Sequence, residues 1–103
     1  MTLSLQRRVQ FFVDIIEDPP IIQSRTMDAY DFLYQHNHFV EYVVDGDGQY
    51  LGGRVLVSDD PIMIWIDTRD NEIRGTYGPD RYTCDFDDII GLDEVLNEMW
   101  SKH

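Results

Sequence analysis

Ile62-Met63-Ile64-Trp65-Ile66-Asp67-Thr68-Arg69-Asp70-Asn71-Glu72-Ile73-Arg74-Gly75-Thr76-Tyr77 is the stretch that decides the fold. Isoleucine recurs at 62, 64 and 66, a period of two that belongs to a strand with one buried face. Glu72 to Tyr77 repeats the pattern after the polar tripeptide Arg69-Asp70-Asn71, so the two runs form a hairpin. The same period continues outward on both sides. Phe39 to Val44 and Gln49 to Ser58 are strands joined by the turn Asp45-Gly46-Asp47-Gly48, and Gly52-Gly53 suggests a bulge. Asp59-Asp60-Pro61 turns the chain into the central hairpin, and Gly78-Pro79-Asp80 turns it out into a fifth strand, Arg81 to Asp87.

Beyond the strands the period becomes helical. Leu5, Val9, Phe12 and Ile16 make one stripe of an amphipathic helix from about Leu3 to Glu17, which Asp18-Pro19-Pro20 ends. A second helix is expected after Ser24 or Thr26 as cap, with Met27, Tyr30, Leu33 and Tyr34 inward and Asn37 as a left-handed stop. A last helix covers about Leu92 to Trp100. The expected fold is α+β: a single domain over residues 1–103, with a five-stranded antiparallel meander and two N-terminal helices and one C-terminal helix on one face. Alternation puts Val40, Tyr42, Val44, Ile62, Ile64, Ile66, Ile73, Tyr82, Cys84 and Phe86 toward the helices. Glu41, Met63, Trp65, Asp67, Glu72, Arg74, Thr83, Asp85 and Asp87 take the other face.

At 103 residues and 43% apolar, the chain can bury about two-thirds of its unfolded surface, enough for a core without disulfides or metal. It has one cysteine, Cys84, where a secreted domain this small would carry several, so a reducing cytoplasm is expected. No apolar run approaches the ~20 residues that span a bilayer, and Met1 to Arg8 lacks the order of a signal peptide. Twenty acids face eight Lys and Arg, for a formal net charge of −12. That field repels nucleic acid and anionic membranes and attracts basic surfaces. An acidic chain poor in lysine also suits high salt, but one alanine against ten isoleucines is unlike a halophile's composition.

The motifs of catalysis and metal binding fail on inspection. Asp45-Gly46-Asp47-Gly48 opens like a calcium loop, but Gln49, Tyr50 and Leu56 occupy its fifth, sixth and twelfth positions. His36 and His38 flank Asn37 at a helix end, with no cluster to complete four ligands; a macrodipole role fits them better, and His103 is terminal. Cys84 alternates inward, where a thiol is inert. No serine elbow, phosphate loop or basic patch is present, so no enzyme activity and no cofactor are expected.

The carboxylates remain. Asp59, Asp60, Asp67, Glu72, Asp85, Asp87 and Asp88 fall on the last three strands and their flanks, and Glu41 on the first. With Met63 and Trp65 they form the expected partner-binding set, an aromatic anchor in a charged rim. A core position for Trp65, covered by a loop or a second copy in a homodimer, is the plainer alternative. Carboxylates on a rigid sheet can take the place of phosphates in the basic groove of a DNA-binding protein.

Met1-Thr2-Leu3-x-Leu5-Gln6 before an amphipathic helix, and Ser58-Asp59-x-Pro61 before an apolar strand, an acidic turn and Glu72-Ile73, resemble the uracil-DNA glycosylase inhibitors. About a quarter of the chain is covered. The resemblance implies the class only: small acidic DNA mimics of phage or plasmid origin that occupy an enzyme's DNA cleft and enclose an apolar side chain. No single residue inherits a role. The leading expectation is therefore an anti-defence inhibitor of a basic, nucleic-acid-processing protein. An immunity protein that neutralises a basic toxin comes second, and a small regulatory or ligand-binding module with incidental charge third.

Overall fold

Alternating apolar residues become strands here because one face of each run can be buried at once. In the computed structural model, residues 2–102 are described, without the side chains of Thr2 and Leu3. The opening Met1-Thr2-Leu3 motif and His103 therefore lie outside the described side chains. The order is α1 (Thr2–Glu17), β1 (Ile21–Ile22), β2 (Arg25–Thr26), α2 (Ala29–His36), β3 (Phe39–Val44), β4 (Tyr50–Asp59), β5 (Met63–Asp67), β6 (Glu72–Tyr77), β7 (Asp80–Asp85) and α3 (Leu92–Ser101). Strands β3 to β7 form an antiparallel meander in sequence order, and β1 and β2 a separate small hairpin. The α+β class and the five strands follow the alternation read from the sequence.

Register sorts the faces. Val40, Val55, Ile66, Ile73 and Cys84 lie in one cross-strand row, and Tyr42 with Gly53, and Ile64, Gly75 and Tyr82, sit in rows of the same face. Helix α1 lies against this face: a Cβ on Gly75 would come within 2.6 Å of Val9 Cγ2 and 2.8 Å of Leu5 Cδ1. Helix α3 lies against it too, with Leu96 Cδ1 2.8 Å from a Cβ on Gly53. The core is one cluster in which Leu5, Val9, Ile16, Phe32, Val55, Ile64, Ile66, Ile73, Leu92 and Leu96 are fully buried. Gly75→Ala must therefore displace α1 or strain its side chains. The expected loss is about 1–3 kcal/mol by urea denaturation. Wild-type stability would mean that α1 packs elsewhere.

Several local expectations are corrected. Neither Ser24 nor Thr26 caps α2. Asp28 does, accepting from Asp31 N–H while the Asp31 carboxylate accepts from Asp28 N–H. Ser24 instead sits with Gln23 in a left-handed turn, φ 70° and 50°, which closes the β1–β2 hairpin. The later start rotates the helix, so Ala29, Phe32 and Leu33 face inward while Tyr30 and Tyr34 are exposed, Tyr34 at 93%. Asn37 is not left-handed, with φ −75° and ψ 117°, and leads directly into β3. Strand β7 stops at Asp85, two residues early, and Val44 is exposed. The first bulge falls at Leu51, just before the glycine pair, and a second falls at Val57.

Candidate functional site

The open face of the sheet is built from three cross-strand rows. The first is Glu41–Arg54–Asp67–Glu72–Asp85, and the second Phe39–Leu56–Trp65–Arg74–Thr83. The third joins Asp59, Met63, Thr76 and Arg81. Adjacent strands are ~4.8 Å apart, so the first row sets Asp67, Glu72 and Asp85 side by side. Like charges directly opposite destabilise a sheet, so this row needs compensation.

Asp67 supplies it by going inside. It is 1% exposed and accepts four hydrogen bonds. Two come from guanidiniums, Arg74 Nη1 at 3.0 Å and Arg54 Nε at 3.3 Å. Two come from the N–H groups of Arg69 at 2.9 Å and Asp70 at 3.1 Å, which shape the β5–β6 turn. Burial raises the Asp67 carboxyl, but the Asp70 N–H, the two guanidiniums and the Arg69 N–H outweigh it and hold it below the usual carboxylate value. Arg74 also binds Glu72 at 2.8 Å and Asp70 at 2.9 Å. Asp67 is thus a structural anchor rather than a rim contact, and Glu72 is half-buried and paired.

The apolar part of the face is an aromatic cluster. Trp65 is half-buried, with the Phe39 ring edge-on at 6.4 Å and Leu56 opposite it at 9% exposure. Met63 is 41% exposed. Arg54, Arg74, Glu41 and Trp65 line a shallow hollow beside the cluster. Phe39, Arg54, Leu56 and Arg81 had not been assigned to this face. Two bulges in β4 hide the parity of Arg54 and Leu56 from simple alternation, whereas Phe39 and Arg81 each lie two residues from an open-face position, Glu41 and Thr83.

Exposed carboxylates gather at the β7 edge. Burial, then the charges of Asp85, Glu17 and Asp14, push the Cys84 thiol above its ordinary value. Glu17 also accepts from Asp87 N–H at 2.8 Å. Among the described residues no Arg or Lys pairs with Asp14, Glu17, Asp85 or Asp87. Edge strands use charge to prevent strand-to-strand aggregation, which is one effect of these acids. Helix α1 has no acid in its first turn and no base in its last. Its arginines lie toward the positive end of the macrodipole and its acids toward the negative end, opposite to what stabilises a helix.

The other expected contacts divide. Asp59 and Asp60 are exposed at the β4–β5 turn, with Asp59 3.4 Å from His38 Nδ1. Asp88 is half-buried and, from three residues before the N-cap Gly91, its carboxylate accepts from the first two N–H groups of α3, Leu92 at 2.7 Å and Asp93 at 2.9 Å. Asp88→Ala is expected to cost about 1 kcal/mol in a thermal melt. An unchanged melting temperature would free Asp88 for a partner. His36 lies in the last turn of α2, the helix-end position expected for it. Its ring packs edge-on against Phe12 at 5.5 Å and beside Phe32 at 5.0 Å, and burial, then His38, lower its pKa. Scans of protein-family models, curated proteins and solved structures found no match to this chain.

Proposed function

We propose that this chain is a non-catalytic binding protein whose acidic β7 side and adjoining open face occupy the basic, nucleic-acid-binding surface of a partner protein. The observation that carries this reading is that exposed Asp14, Glu17, Asp85 and Asp87, where α1 packs against β7, have no Arg or Lys partner among the described residues, with Asp85 also ending the first row of the open face. Four carboxylates without a guanidinium partner project a negative field that draws in a basic surface and repels nucleic acid. Trp65, Met63 and Phe39 beside them offer the apolar contact that such long-range attraction lacks. An inhibitor of a nucleic-acid-processing enzyme and an immunity protein against a basic nuclease share this surface chemistry.

The test is competition. The chain is immobilised, lysate proteins are captured at low salt and eluted at high salt, and each captured protein is assayed for nucleic-acid binding with and without the chain. The expected result is displacement of nucleic acid by the chain, weakening as salt rises. Capture that is indifferent to salt, or that leaves nucleic-acid binding intact, overturns the reading.

A further inference from the structure

At the opposite end of α1 the charge reverses. A cleft of about 810 Å³ opens between α1, α2 and the β4–β5 turn. Phe11, Phe12, Val57 and Ile62 supply its apolar lining, and Phe11 is 50% exposed. Its charged side chains are Arg7 and Arg8, with His36 beside them, and its lining holds no carboxylate. Acids outnumber Lys and Arg by twenty to eight in this chain, so a cleft of this composition runs against the rest of the surface.

Neither arginine forms an ion pair among the described residues. Arg8 is oriented: its Nη2 donates to Ser58 Oγ at 3.4 Å, and that buried hydroxyl donates to Ile62 C=O at 2.6 Å. Two guanidiniums at the mouth and an aromatic-aliphatic lining, at a volume within the ~300–1,000 Å³ of small-molecule sites, are complementary to one ligand class. We infer that this cleft binds a small amphiphilic anion, a carboxylate or phosphate on an apolar body, with Arg7 and Arg8 holding the charged group and Phe11 covering the body. The site is independent of the acidic surface at the far end of α1.

The experiment titrates the full chain with phenyl phosphate, octanoate, inorganic phosphate and benzyl alcohol, followed by amide NMR shifts and calorimetry. Phenyl phosphate and octanoate should produce saturable shifts at Arg7, Arg8, Phe11 and His36, their relative affinity separating a phosphate from a carboxylate preference. Inorganic phosphate and benzyl alcohol should bind about tenfold or more weaker, because each supplies half of the recognition. Arg7→Gln, on an exposed side chain, should weaken phenyl phosphate about tenfold with an unchanged melting temperature, and Asp85→Lys should leave it unaltered. Arg8→Gln serves as the second variant, with Phe11→Ala testing the apolar half. Absence of saturable shifts at millimolar ligand, equal binding of inorganic phosphate, or unchanged affinity in all three cleft variants overturns the inference, whatever the acidic face binds.

Discussion

Asp67→Ala should lower the unfolding free energy by about 2–3 kcal/mol, the cost of removing a buried charged acceptor whose arginine partners are themselves partly exposed. The carboxylate is 1% exposed and accepts from two guanidiniums and two turn N–H groups, so its removal costs the turn its shared acceptor and both partly exposed guanidiniums one partner each, Arg74 keeping Glu72 and Asp70. It also leaves Arg54 and Arg74 beside each other without the charge that separates them. In a domain of this length each kcal/mol is worth about 4–8 °C, so the melting temperature should fall by at least about 8 °C. Acid should imitate the substitution. The folded-state carboxyl is held below its unfolded value of about 3.9, so its contribution is complete above that pH and is lost as pH falls through the lower folded value. Asp67→Asn should therefore lose stability less steeply than wild type below about pH 4. A variant within about 1 kcal/mol of wild type at neutral pH would show that the arginines are adequately solvated without it.

Association with a basic partner should slow about tenfold or more at low salt when Asp85 and Asp87 are both changed to Lys. Both side chains are exposed, so the substitution acts on the field and not on the core. Attraction becomes repulsion at two positions, and added salt should shrink the difference, because the Debye length is ~8 Å at physiological strength. Trp65→Ala should act on the other rate. Loss of a half-buried aromatic anchor speeds dissociation and costs about 2 kcal/mol or more if the ring is a contact centre. Rates against the captured partner across a salt series, with circular dichroism confirming the fold, separate the two effects. If the charge reversals bind like wild type at low salt, the acidic edge serves solubility and edge protection alone.

Much of the architecture is written locally. Period two in 39–44, 62–67 and 72–77 requires strands, and turn chemistry at Asp45-Gly46-Asp47-Gly48 and Arg69-Asp70-Asn71 requires that they be antiparallel neighbours. The stripe Leu5, Val9, Phe12, Ile16 was sufficient for α1. Each of these is decided by residues within a few positions of one another. The phase of α2 was legible only in part. Ser24, Thr26 and Asp28 are all competent caps, and burial of Ala29, Phe32 and Leu33 against the core selects among them. That selection is what turned Tyr30 and Tyr34 outward.

The candidate sites depend more heavily on distance in sequence. The chain by itself determined the acidic excess, the strand alternation that places Trp65 and Met63 on the open face, and the scarcity of catalytic motifs. Only the tertiary structure decided which acids are neutralised. Asp67 and Asp85 look equivalent in one cross-strand row, on either side of Glu72, but the register brings Arg54 and Arg74 to Asp67 and, among the described residues, no Arg or Lys to Asp85. The bulges at Leu51 and Val57 decided that Phe39, Leu56 and Trp65 share a row, since each added residue shifts the pairing of everything beyond it. Arg8 and Ser58 meet across fifty positions of sequence. Periodicity reports which way a side chain points on its own element, whereas ion pairing and clefts depend on which elements are neighbours, and that is settled when the apolar faces are buried together.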